Sequence, residues 1–235
     1  MEYIYGINPA YEVLFSGKRT VKELLYSDTK NPRVRKLLEI AKVKNIPSKV
    51  EEKGVMITLC GSRNHQGIVL HVSDYPYVQL TDMLDEKRFL LLDNIEDPHN
   101  LGAILRTAEV FGFKNVLLSN RGTPEIYASV VKVSAGATEH LSICKERNAN
   151  NYVNRLKELD YKIIVLDENG KTDISSVKSN LPDKFVLVIG GEDRSVGQYI
   201  INCADYVVSF KQKGKINSLN ASVAAAIGMY AFSEN

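Results

Sequence analysis

Apolar and polar positions alternate in two different ways along the chain. In the first third the elements are short and mixed. Residues 21–27 (VKELLYS) read as a strand, and Pro32 opens a helix with Val34, Leu37, Leu38 and Ala41 at helical spacing. Residues 47–51 suit a strand, 54–60 are ambiguous, and 67–73 (GIVLHVS) are β-branched enough to read as a strand. Residues 74–87 carry Pro76 and a charge cluster and read as a linker with a short helix near Thr81. Beyond it the pattern turns strongly periodic. Residues 88–94 (RFLLLDN) form an almost continuous apolar run, as a strand covered on both faces requires. A helix follows, with Leu101, Ile104, Leu105, Ala108 and Phe111 on one stripe and Gly112 as its stop. Further strands are expected at 115–119, 141–144, 162–167, 185–189 and 205–210, and helices at 125–133, 152–159 and 219–232. This alternation predicts an α/β fold with a C-terminal parallel sheet and helices on both faces.

Composition narrows the class. The chain has 235 residues, 44% hydrophobic and 25% charged, which excludes long disorder and collagen-like repeats. No apolar run reaches the roughly 18 residues of a membrane helix. Glu2 sits where a signal peptide would carry a basic head, so none is expected. Cys60, Cys144 and Cys203 form no CxxC, so neither a disulfide framework nor a metal site is expected, and a reducing cytoplasm fits. The net charge of +2 is unevenly divided. Residues 1–79 hold 12 basic against 8 acidic residues, a net of +4, whereas 80–235 hold 18 against 20, a net of −2. Such asymmetry points to a separate basic module for a polyanion, although ordinary surface variation would produce it too.

Three polar, glycine-containing segments fall at carboxyl ends of expected strands, where α/β sheets bind ligands. The first, 93–113, places Arg106 about 140° off the apolar stripe of its helix, with Asn100 in the opening turn. The second, 188–197 (VIGGEDRSVG), puts Gly190 and Gly191 where backbone can approach a ligand, with Glu192 at the tip. It is neither a Walker A loop nor GxGxxG, so it supports phosphate cradling poorly, and the lack of a Gly-rich turn after the first sheet strand argues against a dinucleotide-dependent oxidoreductase. The third, 209–228, carries Lys211, Lys213 and Lys215 around Gly214, then Asn217, Ser218 and Asn220 at a helix start, then a run of small residues. Taken singly, each has a plain reading: a solvated arginine, a strand-to-helix turn, a helix cap.

Together, NLGAILRTAEVFG, VIGGEDRSVG and KGKINSLNASVAAAIG resemble, in order and spacing, the three motifs of the SpoU (TrmH-like) family of RNA ribose 2′-O-methyltransferases of the knotted SPOUT class. VVKVSAGATEHL between the first two resembles that family as well. YGINPAYEVL and NHQGIVLHV are similar to the substrate-binding domain of the branch that methylates a guanosine of large-subunit (23S) ribosomal RNA. Asp193 and Ser195 stand where the family has glycines, and Phe210, Lys211 and Gln212 where it has an Ile-Pro-Met-like segment. The resemblance implies a trefoil knot in the C-terminal domain and a small ribosomal-protein-like α/β domain before it. The expected division is 1–75 for RNA substrate binding, 76–87 as linker and 88–235 for catalysis. It implies S-adenosyl-L-methionine as methyl donor, held by Ile189, Gly190, Gly191, Phe210, Gly214 and Leu219. It also implies Arg106, Asn100, Glu192, Ser218 and Asn220 as the catalytic set, and a homodimer that completes the site across its interface. RNA would be gripped by Lys18, Arg19, Lys22, Arg33, Arg35, Lys36 and Arg63 through its phosphates, with His65 and Gln66 structural. The competing readings are the same chemistry on tRNA or on an rRNA adenosine, and a non-catalytic RNA-binding protein.

Overall fold

In the computed structural model, residues 2–192, 194–211, 214 and 218–233 are described. The chain runs β1 (Glu2–Tyr5), α1 (Ile7–Ser16), β2 (Val21–Tyr26), α2 (Pro32–Val43), β3 (Ser48–Val50), α3 (Lys53–Cys60) and β4 (Ile68–Val72). It continues with β5 (Arg88–Asp93), α4 (Pro98–Val110), β6 (Asn115–Ser119), α5 (Ala128–Val133), β7 (Ser142–Glu146) and α6 (Ala149–Glu158). The last elements are β8 (Lys162–Leu166), β9 (Thr172–Asp173), α7 (Ile174–Lys178), β10 (Phe185–Gly190), α8 (Gln198–Cys203), β11 (Tyr206–Ser209) and α9 (Ala221–Ser233). Two compact units result. One holds the chain up to Pro76 together with Ile126–His140, the other Tyr77–Glu125 and Leu141 onward.

The first unit is built on a four-stranded mixed sheet, ordered β1-β4-β2-β3, with β4 antiparallel to both β1 and β2 and β2 parallel to β3. Ile4, Leu24, Val69 and Leu70 fill its core. The residues expected to be structural behave so. The buried His65 accepts from the Gly67 N–H through Nδ1 (3.1 Å), and Gln66 Oε1 accepts the first-turn N–H of α1 at Ile7 (3.0 Å). Burial lowers the His65 pKa, which keeps the imidazole neutral. The segment 126–140, expected in the catalytic domain, packs in this unit. Ala128 lies against the cluster of Tyr5, Leu25, Met56 and Val69, and His140 Nε2 meets Glu12 Oε2 at 2.7 Å.

Two of the residues expected to contact RNA make their contacts inside this unit. Arg19 is 3% exposed and ion-paired with Glu2 (2.7 Å) and Glu139 (3.1 Å), so its charge is spent inside the unit. Lys18 Nζ donates to the Tyr75 hydroxyl (2.8 Å) and lies 4.7 Å from that ring's centre. Burial lowers the Lys18 pKa to about 8 against the opposing pull of Glu139. Lys22, Arg33, Arg35, Lys36 and Arg63 are exposed, as phosphate contact requires. Arg33 and Lys36 share α2, where Arg33 donates to Asn8 and Lys36 Nζ lies 5.4 Å from the Tyr11 ring centre.

The second unit is a seven-stranded parallel sheet ordered β7-β6-β5-β10-β8-β11-β9. Its central strands, β5 and β10, pair in register from Phe185↔Arg88 to Gly190↔Asp93, and every residue from Phe89 to Asp93 is buried. That is why their sequences are continuous apolar runs. The supposed linker is part of this core: Leu80 and Met83, in a short 3-10 turn, are buried among Phe89, Tyr152 and Tyr161. Helix α4 buries Leu101, Ile104, Leu105 and Ala108 as the wheel predicts. Phe111, expected on the stripe, is instead the C-cap and rests beside Tyr230 with ring centres 5.7 Å apart. α9 is capped by Asn220, whose Oδ1 accepts from the Ser222 N–H (3.0 Å).

Candidate active site

The site forms where chain leaves the carboxyl ends of β5, β8, β10 and β11. Leaving β10, the chain turns at Gly190 and Gly191, and here glycine is compulsory. A Cβ on Gly191 would lie 1.9 Å from the Asn94 carbonyl oxygen, and one on Gly190 2.5 Å from the Val196 nitrogen. The turn is tied to β5 from below. The Gly191 N–H donates to the Asp93 carbonyl (3.1 Å) and the Gly197 N–H to Asp93 Oδ2 (3.0 Å). Asp93 is 7% exposed, and burial raises its carboxyl pKa against the Gly197 hydrogen bond and the field of Arg121.

Above this turn lies a cavity of about 430 Å³, inside the range of about 300–1,000 Å³ usual for small-molecule sites. Five of the six residues expected to hold a cofactor line it: Ile189, Gly190, Gly191, Phe210 and Leu219. Gly214 does not, and Gln212, Lys213, Lys215, Asn217 and Asp193 lie outside the described residues. The expected lysine loop is therefore seen only at Lys211, whose ammonium stands 3.7 Å from Asp173 rather than over the cavity. Sequence reasoning missed Asp167 and Glu168, which line the cavity at the end of β8. Their only signal was position, since strand ends on this edge are where such sheets bind ligands.

At the cavity mouth three segments far apart in sequence meet through side chains. Glu192 Oε1 accepts from Asn100 Nδ2 (3.0 Å), from Asn220 Nδ2 and from the Ala221 N–H (3.1 Å). Asn220 Nδ2 also donates to Asn100 Oδ1 at 3.0 Å. The carboxylate thus sits on the N-terminus of α9, satisfying one of its orphan donors and facing its positive end. Ser218 lines the cavity beside this cluster. Arg106 does not join it. It is exposed one turn before Val110 on α4 and lines neither this cavity nor the cleft at Asn100 and Glu192. One turn on along α4, Val110 is 67% exposed, and Val223, Ile227 and Tyr230 make an exposed i, i+4, i+7 stripe on α9, which packs along α4. No cluster of metal-ligating side chains occurs among the described residues.

Residues 87–230 match the model of the SpoU rRNA Methylase family, and residues 3–78 match the RNA 2′-O ribose methyltransferase substrate binding domain. The chain is 32% identical over 237 aligned residues to the Bacillus subtilis protein YacO, named as a TrmH family tRNA/rRNA methyltransferase. That alignment covers 97% of this chain and 94% of the relative. It is 34% identical to an uncharacterized tRNA/rRNA methyltransferase of Archaeoglobus fulgidus, covering 97% and 96%. Among solved structures, the SpoU methyltransferase AviRb of Streptomyces viridochromogenes in complex with AdoMet superposes with a TM-score of 0.83 at 20% identity, covering 98% of this chain and 88% of that one. With motifs, fold and relatives in agreement over nearly the whole length, the chain belongs to the SpoU rRNA methylase family.

Proposed function

We propose that this RNA 2′-O-ribose methyltransferase acts on a guanosine of large-subunit ribosomal RNA, as a homodimer. The observation that carries the methyl-transfer reading is the Asn100–Glu192–Asn220 cluster at the mouth of a glycine-floored cavity, and the choice of ribosomal guanosine rests on the substrate-binding domain match over residues 3–78 and its sequence resemblance. The cavity fits S-adenosylmethionine. Its floor is backbone that any Cβ would fill, and Asp167 and Glu168 offer acceptors for ribose hydroxyls. When bound, that cofactor supplies a methyl group already activated by sulfonium charge.

The chain's own task is to place a ribose hydroxyl in line and help it lose a proton. Asn100 and Asn220 present amides held in one orientation by Glu192, which suits them to fix the hydroxyl. Arg106 stays protonated in nearly all settings, so its role is to stabilise the developing alkoxide rather than to act as a base. Arg106 stands off its own cavity, which suits the homodimer that the family resemblance implies, with the site completed across an interface of α4 and α9. Sedimentation should show a dimer at micromolar protein; a monomer alone would remove this part of the reading.

The substrate-binding match over residues 3–78 supports a structured RNA target, and exposed Lys22, Arg33, Arg35, Lys36 and Arg63 suit phosphate contact. The test is to map ribose methylation on ribosomal RNA and tRNA in cells lacking the protein, with rescue by wild type and by Arg106→Ala. Loss of one guanosine mark in large-subunit RNA, restored by wild type alone, is expected. Loss of a tRNA mark or of an rRNA adenosine mark instead would replace the substrate.

A further inference from the structure

Beyond the cofactor cavity, a larger open groove of about 1,060 Å³ lies on the other side of the 191–197 turn. It occupies the carboxyl ends of β5, β6 and β7, the half of the sheet edge that the cofactor cavity leaves unused. Its walls carry three exposed arginines. Arg121 follows β6, Arg147 follows β7, and Arg194 stands on the turn itself. Arg194 reaches Glu96 only at 4.0 Å, and Arg121 and Arg147 make no ion pair among the described residues. Among the described residues the one carboxylate lining the groove, Asp93, is buried and accepts from the Gly197 N–H. Among the described residues cationic groups therefore outnumber anionic ones along the groove. Side-chain amides stand among them, Asn120 after β6 and Asn150 and Asn151 in the first turn of α6. Tyr199, 45% exposed, presents a ring fixed at its tip by a hydrogen bond from its hydroxyl to Asn154 (2.7 Å).

The groove borders the Asn100–Glu192–Asn220 cluster, with Asn94 between them. Asn94 lines it and also lines a small cleft of about 60 Å³ shared with Asn100 and Glu192. Unpaired guanidiniums, free amides and an exposed aromatic face are the chemistry that holds phosphates and unstacked bases of single-stranded RNA. We infer that this groove is a second substrate subsite, taking the single-stranded RNA that flanks the target nucleotide. Arg121 and Arg147 would contact its phosphates and Tyr199 would stack on a base. This rests on the reading of the protein as an RNA methyltransferase.

The test uses the full chain and a fluorescent single-stranded RNA oligonucleotide, titrated by anisotropy over a range of salt. Each phosphate contact to a single strand contributes about 0.7 to the slope of log affinity against log salt. Arg121→Ala/Arg147→Ala should flatten that slope by about 1.4 and weaken binding about tenfold at physiological salt. The Arg121→Lys/Arg147→Lys variant should keep most of the slope, because lysine is still a phosphate-pairing charge. Calorimetric affinity for S-adenosylmethionine should not change in either variant, and KM for ribosomal RNA should rise with kcat retained. An unchanged slope in the alanine variant would overturn the proposal, as would a parallel loss of cofactor affinity. Duplex RNA of the same length binding as tightly as the single strand would overturn the single-strand assignment. If the wild type methylates neither ribosomal RNA nor tRNA, the methyltransferase reading fails instead, and the anisotropy series alone decides the groove.

Discussion

The two halves of one sheet edge solve different problems with different atoms. On the β10–β8–β11 half the proposed cofactor cavity is floored by Gly190 and Gly191, where main chain approaches main chain so closely that no side chain fits. On the β5–β6–β7 half the groove presents long cationic side chains in open solvent. A backbone-floored site is specific by shape and should fail abruptly. A side-chain site works by summed charge and should weaken by degrees, with the salt dependence of any phosphate grip.

The largest expected effect tests the abrupt half. Gly191→Ala places a methyl 1.9 Å from the Asn94 carbonyl oxygen, so one of two packed backbones must move. Overpacking of this kind costs about 1–3 kcal/mol, and here the displaced atoms floor the cavity. Calorimetry should find S-adenosylmethionine binding abolished and thermal melting should find a lowered Tm. A variant that binds the cofactor normally would show that the floor is more pliant than the geometry allows, and the contrast between the halves would collapse.

Next in size is a loss that leaves both halves standing. Arg106→Ala touches neither cavity nor groove, so folding, cofactor binding and RNA binding should survive. Methyl transfer should fall by about 10²–10³, the usual cost of removing one donor to a developing oxyanion. Single-turnover assays with bound RNA check this. Near-wild-type turnover would remove Arg106 from the chemistry.

Glu192 offers a smaller and graded change. Glu192→Ala strips one acceptor from Asn100, Asn220 and the Ala221 N–H together, leaving the Asn100–Asn220 pair held by its mutual hydrogen bond and by Ser222. Glu192→Gln keeps an oxygen that can accept but loses the charge that faces the α9 dipole. We expect kcat to fall in the order wild type, Gln, Ala, with KM for S-adenosylmethionine changing less than kcat. Equal kcat in all three would reduce Glu192 to a helix cap.

Which of these features could be read from sequence follows from how local their causes are. The central strands were legible because a strand buried on both faces must be apolar along its buried length, and 89–92 and 185–189 are. The Asn100–Glu192–Asn220 cluster was legible only through motif resemblance, since Asn100 and Asn220 stand 120 positions apart and no periodicity relates them. β1 and α1 were not assigned as elements from the pattern. The ion pairs of Arg19 were invisible too: its partners Glu2 and Glu139 lie 17 and 120 positions away, so a buried structural arginine read as an exposed RNA contact. Segment 126–140 has an apolar pattern that fits either unit; only the partners waiting at Tyr5 and Glu12 decide which. Arg121 and Arg147 escaped notice for the same reason, being neighbours only because β6 and β7 are.

Asp93 joins the two halves and gives the smallest effect. Its carboxylate is buried at the floor of the groove, and its hydrogen bond from the Gly197 N–H holds the turn that walls the proposed cofactor cavity. Burial raises its folded pKa above the unfolded value. Below the unfolded pKa both states are protonated and the buried charge costs nothing; as pH rises through the folded pKa the cost of desolvating the carboxylate appears in full. Asp93→Asn keeps an oxygen able to accept from the Gly197 N–H and removes the charge. The variant should therefore melt at the same temperature as wild type in acid, below the carboxylate range, and slightly higher at neutral pH. Melting curves across that range measure the difference directly. A variant less stable at neutral pH would mean that the ionised carboxylate, not merely an acceptor, holds the turn. The charge of Asp93 would then belong to the cofactor half rather than being a burden carried by the groove.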